Sequence, residues 1–166
     1  MITLSHAKEI DISVKQKIVL GNGGVNMVDI IVGTHGSFST QILRSAQMIF
    51  GKQENVSSVT FETGEGLEDL VEKYKNESEK LDCKDGVLFL VDLFGGSPFN
   101  AASRIVSQND NMDVLTGINL PMLLEVYGAR SFSGIKELVN IAKQAGSEGI
   151  KSLKDVLSEQ EDEEIL

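Results

Sequence analysis

Segments rich in valine and isoleucine alternate with stretches of helical periodicity along most of the chain, and this alternation restricts the fold more than any other feature. Residues 28–32 and 86–91 are almost entirely apolar, which is typical of strands buried on both faces of a sheet. Apolar residues recur at spacings of three and four over 38–49 and 67–74, as on one face of a helix. This order predicts an α/β fold: a doubly wound, mostly parallel sheet with helices on both faces and a flavodoxin-like strand order.

The composition indicates a single cytoplasmic domain. A chain of 166 residues has the length of one compact unit. No apolar run approaches the roughly 18 residues needed to cross a bilayer, and residues 1–14 lack the basic start and apolar core of a secretory signal. Cys83 is the only cysteine, which excludes an internal disulfide and a zinc site built from thiolates. We expect the protein to use neither a metal nor a cofactor.

The charge is acidic and concentrated at the C-terminus. The chain carries 15 basic and 25 acidic residues, a formal net charge of −10. Residues 155–164 contain six acidic residues and no basic one, so we predict a solvated acidic tail over 155–166. This balance argues against nucleic acid as a partner, because its phosphates would be repelled.

Residues 1–26 differ from the patterned part of the chain. The run from Gly21 to Gly24 has poor helix and strand propensity, and the first clear strand begins immediately after Met27. We therefore predict a working domain over 27–154 with a native start at Met27, preceded by a non-native segment. The alternative is a genuine extension, in which residues 10–18 form an amphipathic edge strand.

Two polar loops follow the first and third predicted strands, where doubly wound sheets bind their ligands. The first loop contains His35 and the second begins with Asp92. A neutral imidazole is a nucleophile and is able to accept a phosphoryl group on one ring nitrogen. Asp92 is placed to accept a hydrogen bond from the other nitrogen and so fix the tautomer. The alternatives are an incidental surface histidine and a carboxylate that caps a turn or helix.

Donors for the oxygens of a phosphoryl group are expected in the second loop. Gly95, Gly96 and Ser97 precede a predicted helix and offer backbone N–H groups at its positive end. The same segment is equally consistent with a plain connection, with Ser97 as the N-cap and Pro98 as the first helical residue. Thr34 either adds a hydroxyl to the site or has a structural role at the strand end. Arg130 is interpreted as a surface or capping charge.

Several motifs resemble the mannose-family IIA domain of the bacterial phosphoenolpyruvate:sugar phosphotransferase system. They are GTHG at 33–36, GKQENV at 51–56, GVLFLVD at 86–92, GGSPFNAASR at 95–104 and GINLPML at 117–123. The resemblance covers about residues 27–154, and the long block from 86 to 104 is its most specific part.

The resemblance implies a function and a set of partners. His35 matches the family's phosphorylated histidine, which takes a phosphoryl group from the phosphocarrier protein HPr through Nε2 and passes it to a IIB component. IIB phosphorylates sugar that arrives through the membrane components IIC and IID. Asp92 matches the carboxylate that orients this histidine, and Ser97 matches a residue of the phosphate site.

The resemblance also implies a homodimer with an exchanged strand. Residues Gly149 to Leu153 are predicted to form a short C-terminal strand that adds antiparallel to the sheet edge of the partner. An isolated strand of this length is not stable alone, so the prediction requires a second copy of the chain.

Three other functions remain open from the sequence. A related phosphocarrier subunit feeds dihydroxyacetone kinase, although that branch more often has Ser-His-Ser where this chain has Thr34-His35-Gly36. A hydrolase triad of Ser97, His35 and Asp92 is a second alternative. It lacks a Gly-x-Ser-x-Gly elbow, and Pro98 removes the usual oxyanion donor. A purely regulatory binding module is the third.

Overall fold

A four-stranded parallel sheet forms the centre of the structure. The computed structural model describes residues 27–81 and 83–163, with side chains described up to residue 158. The strands are β1 (Asp29–His35), β2 (Val56–Phe61), β3 (Val87–Val91) and β4 (Met112–Thr116). Their spatial order is β2-β1-β3-β4, so β1 and β3 are neighbours and their carboxyl ends lie at the same edge. This order confirms the predicted flavodoxin-like arrangement of these four strands.

Helices cover both faces of the sheet. The helices of the described chain are α1 (Phe38–Phe50), α2 (Leu67–Lys80), α3 (Ser97–Val106), α4 (Leu120–Ala129), α5 (Ile135–Glu148) and α6 (Leu153–Glu163). Helices α1, α4 and α5 pack on one face, and α2 and α3 pack on the other. The doubly wound α/β fold is therefore confirmed.

Strand β3 shows why the apolar runs become central strands. All five of its residues are fully buried. Successive side chains point to opposite faces, so Leu88 and Leu90 enter the core under α1, α4 and α5, while Phe89 enters the core under α2 and α3. Each such side chain contributes about 1.5–3 kcal/mol on burial. The rigid strand fixes the position of Asp92, which directly follows it.

The C-terminal region differs from the prediction. Within the single chain, residues Gly149 to Leu153 do not form a strand, because Gly149 caps α5 and Leu153 is the first residue of α6. Their exchange with a second copy stays a prediction. The apolar residues Leu153, Val156 and Leu157 are spaced as on one face of a helix. The predicted five-residue strand ended at Leu153 and did not include the other two. Helix α6 also extends through much of the predicted acidic tail.

The start of α3 is displaced by one residue from the prediction. Gly96 is the N-cap, since its carbonyl accepts the N–H of Asn100 at 2.9 Å and its own backbone is extended. Ser97 and Pro98 are the first two helical residues, so Ser97 is not the cap.

The predictions for residues 1–26 fall outside the residues that the structure describes. Within the part that the structure describes, no helix is both long and apolar enough to span a bilayer.

Candidate functional site

The two titratable residues predicted for the site meet at the carboxyl edge of the sheet. His35 is the last residue of β1, and Asp92 follows the neighbouring strand β3. The His35 ring contacts the carboxylate through Nδ1, which lies 2.9 Å from Asp92 Oδ2. The backbone N–H of His35 donates to the same oxygen at 3.0 Å, and the N–H of Leu93 donates to Oδ1 at 2.9 Å. Both carboxylate oxygens are therefore held in place by backbone donors.

This geometry determines which ring nitrogen is nucleophilic. An ionised carboxylate only accepts hydrogen bonds, so Nδ1 of His35 carries the proton and Nε2 keeps its lone pair. The His35 side chain is 44% exposed, which leaves it accessible to another molecule. The ring of Phe61, at the end of β2, meets the imidazole edge-on at a centroid distance of 5.7 Å. The imidazole is thus oriented by Asp92 and flanked by an aromatic ring.

The loop before α3 approaches the other side of the imidazole. A Cβ at Gly96 would lie 2.9 Å from His35 Cε1 and 3.5 Å from Nε2, so a larger residue at this position would press on the ring. Gly95 has a φ of +75°, a left-handed conformation that favours glycine. The carbonyl of Gly95 accepts a hydrogen bond from Asn100 Nδ2 at 2.9 Å, which ties the loop to α3.

The first turn of α3 provides an environment for negative charge next to Nε2. The N–H groups in the first turn of a helix have no intrahelical acceptor and lie at the positive end of the helix dipole. Ser97 and Phe99 supply such groups, whereas Pro98 has none. Within the described part of the chain, the Ser97 hydroxyl has no hydrogen-bond partner. This arrangement suits the oxygens of a phosphoryl group.

Thr34 is directed away from this environment. Its side chain is fully buried, and its Oγ1 accepts the N–H of Ser39 at 2.6 Å at the start of α1. Ser39 in turn donates from its hydroxyl to the Val59 carbonyl at 2.9 Å. Of the two roles considered for Thr34, these contacts favour the structural one, which joins β1 to α1 directly beside His35.

A hydrolytic triad is not assembled in this geometry. His35 and Asp92 form the contact that such a triad requires, but no hydrogen bond joins the Ser97 hydroxyl to the imidazole among the described residues. Pro98 follows Ser97 and cannot donate to an oxyanion. The site therefore has the features of a nucleophilic imidazole and lacks those of an activated serine.

Comparison with known proteins gives the family. The model described as the phosphotransferase system fructose IIA component, EIIA-man, matches residues 29–143. The chain belongs to this family. The match includes β1 through most of α5 and so contains both loops of the site. The mannose-family IIA resemblance seen in the sequence motifs is confirmed.

Two curated IIA relatives differ in how much of their length the chain matches. The mannose-specific EIIAB component of Escherichia coli (strain K12) is 49% identical over 128 residues, which cover 76% of this chain and 40% of that protein. The fructose-specific EIIA component of Bacillus subtilis (strain 168) is 36% identical over 146 residues, covering 84% of this chain and all of that protein. The chain thus spans about two fifths of the first relative and the whole of the second.

Solved structures of IIA components share the fold. The phosphotransferase system component EIIA from Streptococcus agalactiae superposes with a TM-score of 0.72 at 32% identity, covering 78% of this chain and 99% of that one. The IIA protein associated with a fucose utilisation operon of Streptococcus pneumoniae gives a TM-score of 0.70 at 29% identity, covering 79% and 96%.

Proposed function

We propose that this IIA component is a phosphoryl carrier of the cytoplasm, which accepts a phosphoryl group from phospho-HPr on His35 and passes it to a IIB component. The observation that carries the proposal is the hydrogen bond between His35 Nδ1 and Asp92, with Nε2 left beside the open first turn of α3. Sugar arriving through the membrane components IIC and IID would then be phosphorylated by IIB. Relatives named for mannose, fructose and sorbose support this sugar branch over dihydroxyacetone kinase as the recipient.

The chemistry is a reversible transfer between two histidines. The lone pair of His35 Nε2 attacks the phosphorus atom of phospho-HPr, a new N–P bond forms, and the N–P bond of the donor breaks. Because Nδ1 keeps its proton, the phosphorylated ring gains positive charge, which the Asp92 carboxylate stabilises. The phosphoryl oxygens are met by the N–H groups at the start of α3. Transfer to IIB reverses the same steps, and no metal or cofactor takes part.

The test of this proposal is a mass measurement. The protein is incubated with phosphoenolpyruvate, Enzyme I and HPr, and its intact mass is then recorded. We expect a gain of one phosphoryl group that is labile in acid and stable in alkali, as for a phosphohistidine. A chain that gains no mass, or whose label survives acid, contradicts the proposal. The first of these results would favour a regulatory binding module.

Gly96 offers a direct test of the space around Nε2. A methyl group at this position would lie within contact distance of the imidazole that Asp92 holds in place. We expect Gly96→Ala to slow phosphoryl uptake roughly 10- to 100-fold, because small misplacements of reacting atoms are costly. The rate of uptake from phospho-HPr measures the effect.

The control for this variant is Gly128→Ala. Gly128 lies within α4, and a Cβ there would have no neighbour within 4 Å. This variant should keep the wild-type rate. Equal rates for Gly96→Ala and the wild type would show that the loop is not close to the reacting nitrogen in solution.

We also propose that the protein is a homodimer. Ile150, Leu153 and Leu157 are exposed by 81%, 74% and 47% beyond the end of α5, and the outer edge of β4 pairs with no other strand in the described chain. Burial of such groups by a second copy favours association. Light scattering should give twice the chain mass of 18.0 kDa. A monomeric mass at micromolar concentration contradicts the proposal.

A further inference from the structure

Tyr74 lies beneath the site and contacts the elements that form it. It belongs to α2, is fully buried, and stacks edge-on against Phe89 of β3 at a centroid distance of 5.3 Å. Its hydroxyl donates a hydrogen bond of 3.3 Å to the carbonyl of Pro98, in the first turn of α3. The phenol therefore connects the helix start beside His35 to the centre of the sheet.

The same hydroxyl also rests on β1. Gly33 has no side chain, and a Cβ built there would lie 1.8 Å from the Tyr74 hydroxyl oxygen and 2.5 Å from Cζ. The outer edge of the phenol thus occupies the space that a side chain at position 33 would fill. Gly33 is two residues before His35, and Pro98 is two residues after Gly96. The hydroxyl therefore lies between β1, which carries His35, and the first turn of α3.

Electrostatics keep this hydroxyl protonated. Burial raises the pKa of Tyr74 well above its usual value, and the negative charge of Asp92 raises the pKa further. The phenol consequently remains a neutral donor throughout the physiological range.

We propose that Tyr74 is a positioning residue, which sets the distance between His35 and the first turn of α3 and thereby the gap available to a phosphoryl group on Nε2. This inference rests on the proposed phosphoryl transfer. Removal of the hydroxyl breaks the hydrogen bond to Pro98. It also leaves empty space beside Gly33, which allows β1 or α3 to shift slightly. Displacements of this size affect transfer more than they affect folding, because the aromatic ring and its packing remain.

The experiment compares Tyr74→Phe with Tyr127→Phe. Tyr127 is the other tyrosine of the chain, lies on α4 on the opposite face of the sheet, and is 7% exposed, so its variant removes the same atom from a buried site away from His35. Phosphoryl uptake from phospho-HPr is measured in single turnovers well below the melting temperature of each variant. We expect Tyr74→Phe to slow uptake by about threefold to tenfold, while Tyr127→Phe retains the wild-type rate.

The outcomes separate this inference from the function on which it rests. A purely structural role would lower the melting temperature of Tyr74→Phe and leave its uptake rate unchanged, and that result would overturn the inference alone. Equal slowing in both variants would also overturn it, since the effect would not depend on the contact with α3. A wild-type chain that takes up no phosphoryl group would remove the proposed function and this inference together.

Discussion

The His35→Ala variant is expected to take up no phosphoryl group from phospho-HPr. The substitution removes Nε2, the nitrogen that the hydrogen bond to Asp92 leaves with a free lone pair. No neighbouring side chain replaces it, since the Ser97 hydroxyl makes no hydrogen bond to an activating base in the described structure. Intact mass after incubation with the complete phosphoryl donor system measures the loss.

The fold should survive this substitution. The His35 side chain is 44% exposed at the end of β1 and does not belong to either core. The Asp92 carboxylate would still accept the backbone N–H groups of residue 35 and Leu93, so it keeps two of its three hydrogen bonds. Far-ultraviolet circular dichroism and the melting temperature check this expectation.

The matched control is His6→Ala, which removes the other histidine of the chain. This variant should be labelled to the same extent as the wild type. Full labelling of His35→Ala, or loss of labelling in His6→Ala, would show that the phosphoryl group resides elsewhere.

The pairing of His35 with Asp92 was predictable because it depends on strand order. Both residues follow apolar runs, and parallel strands bring their carboxyl ends to one edge of the sheet. The flavodoxin-like order then places the first and third strands side by side, which the structure confirms. The sequence thus contained enough information to bring together two residues separated by 57 positions.

Other residues at the site could not be predicted in this way. Tyr74 belongs to the apolar face of α2, and nothing in the helical spacing distinguishes it from the leucine and valine residues on that face. Its contact with Gly33 and Pro98 depends on the angle at which α2 crosses the sheet. Phe61 ends an ordinary strand pattern, and its contact with His35 follows from the register of β1 and β2.

Arg130 shows the same limitation for a charged residue. Its interpretation as a surface charge is wrong, since the residue is only 2% exposed, whereas its position at the C-cap of α4 agrees with the capping alternative. The guanidinium donates to the Glu54 carbonyl at 2.6 Å and to the Asn55 carbonyl at 3.2 Å, at the amino end of β2. Burial is the main cause that lowers the pKa of this group. Contacts between residues 75 or more positions apart leave no local pattern in the sequence.

The Asp92→Asn variant should keep its fold and slow phosphoryl transfer roughly 100- to 1,000-fold, because the charge that stabilises the ring is lost. An amide has one accepting oxygen and one donating NH₂ group. If the oxygen remains on His35, it accepts the Nδ1 proton but cannot neutralise the developing positive charge, and the NH₂ group faces the N–H of Leu93. If the amide is reversed, it donates to Nδ1, moves the ring proton to Nε2 and blocks the attacking lone pair.

The control for this variant is Asp85→Asn, which makes the same change in net charge at the opposite end of the sheet. Asp85 also accepts a backbone hydrogen bond, from the N–H of Met27 at 2.9 Å. Asp85→Asn should therefore show any effect on stability that comes from replacing a hydrogen-bonded carboxylate. Its rate of phosphoryl transfer should remain that of the wild type. Single-turnover uptake is compared between about pH 6 and pH 9. If Asp92→Asn matched the wild type across this range, the negative charge of Asp92 would not be needed for transfer, and the residue would be a capping carboxylate only.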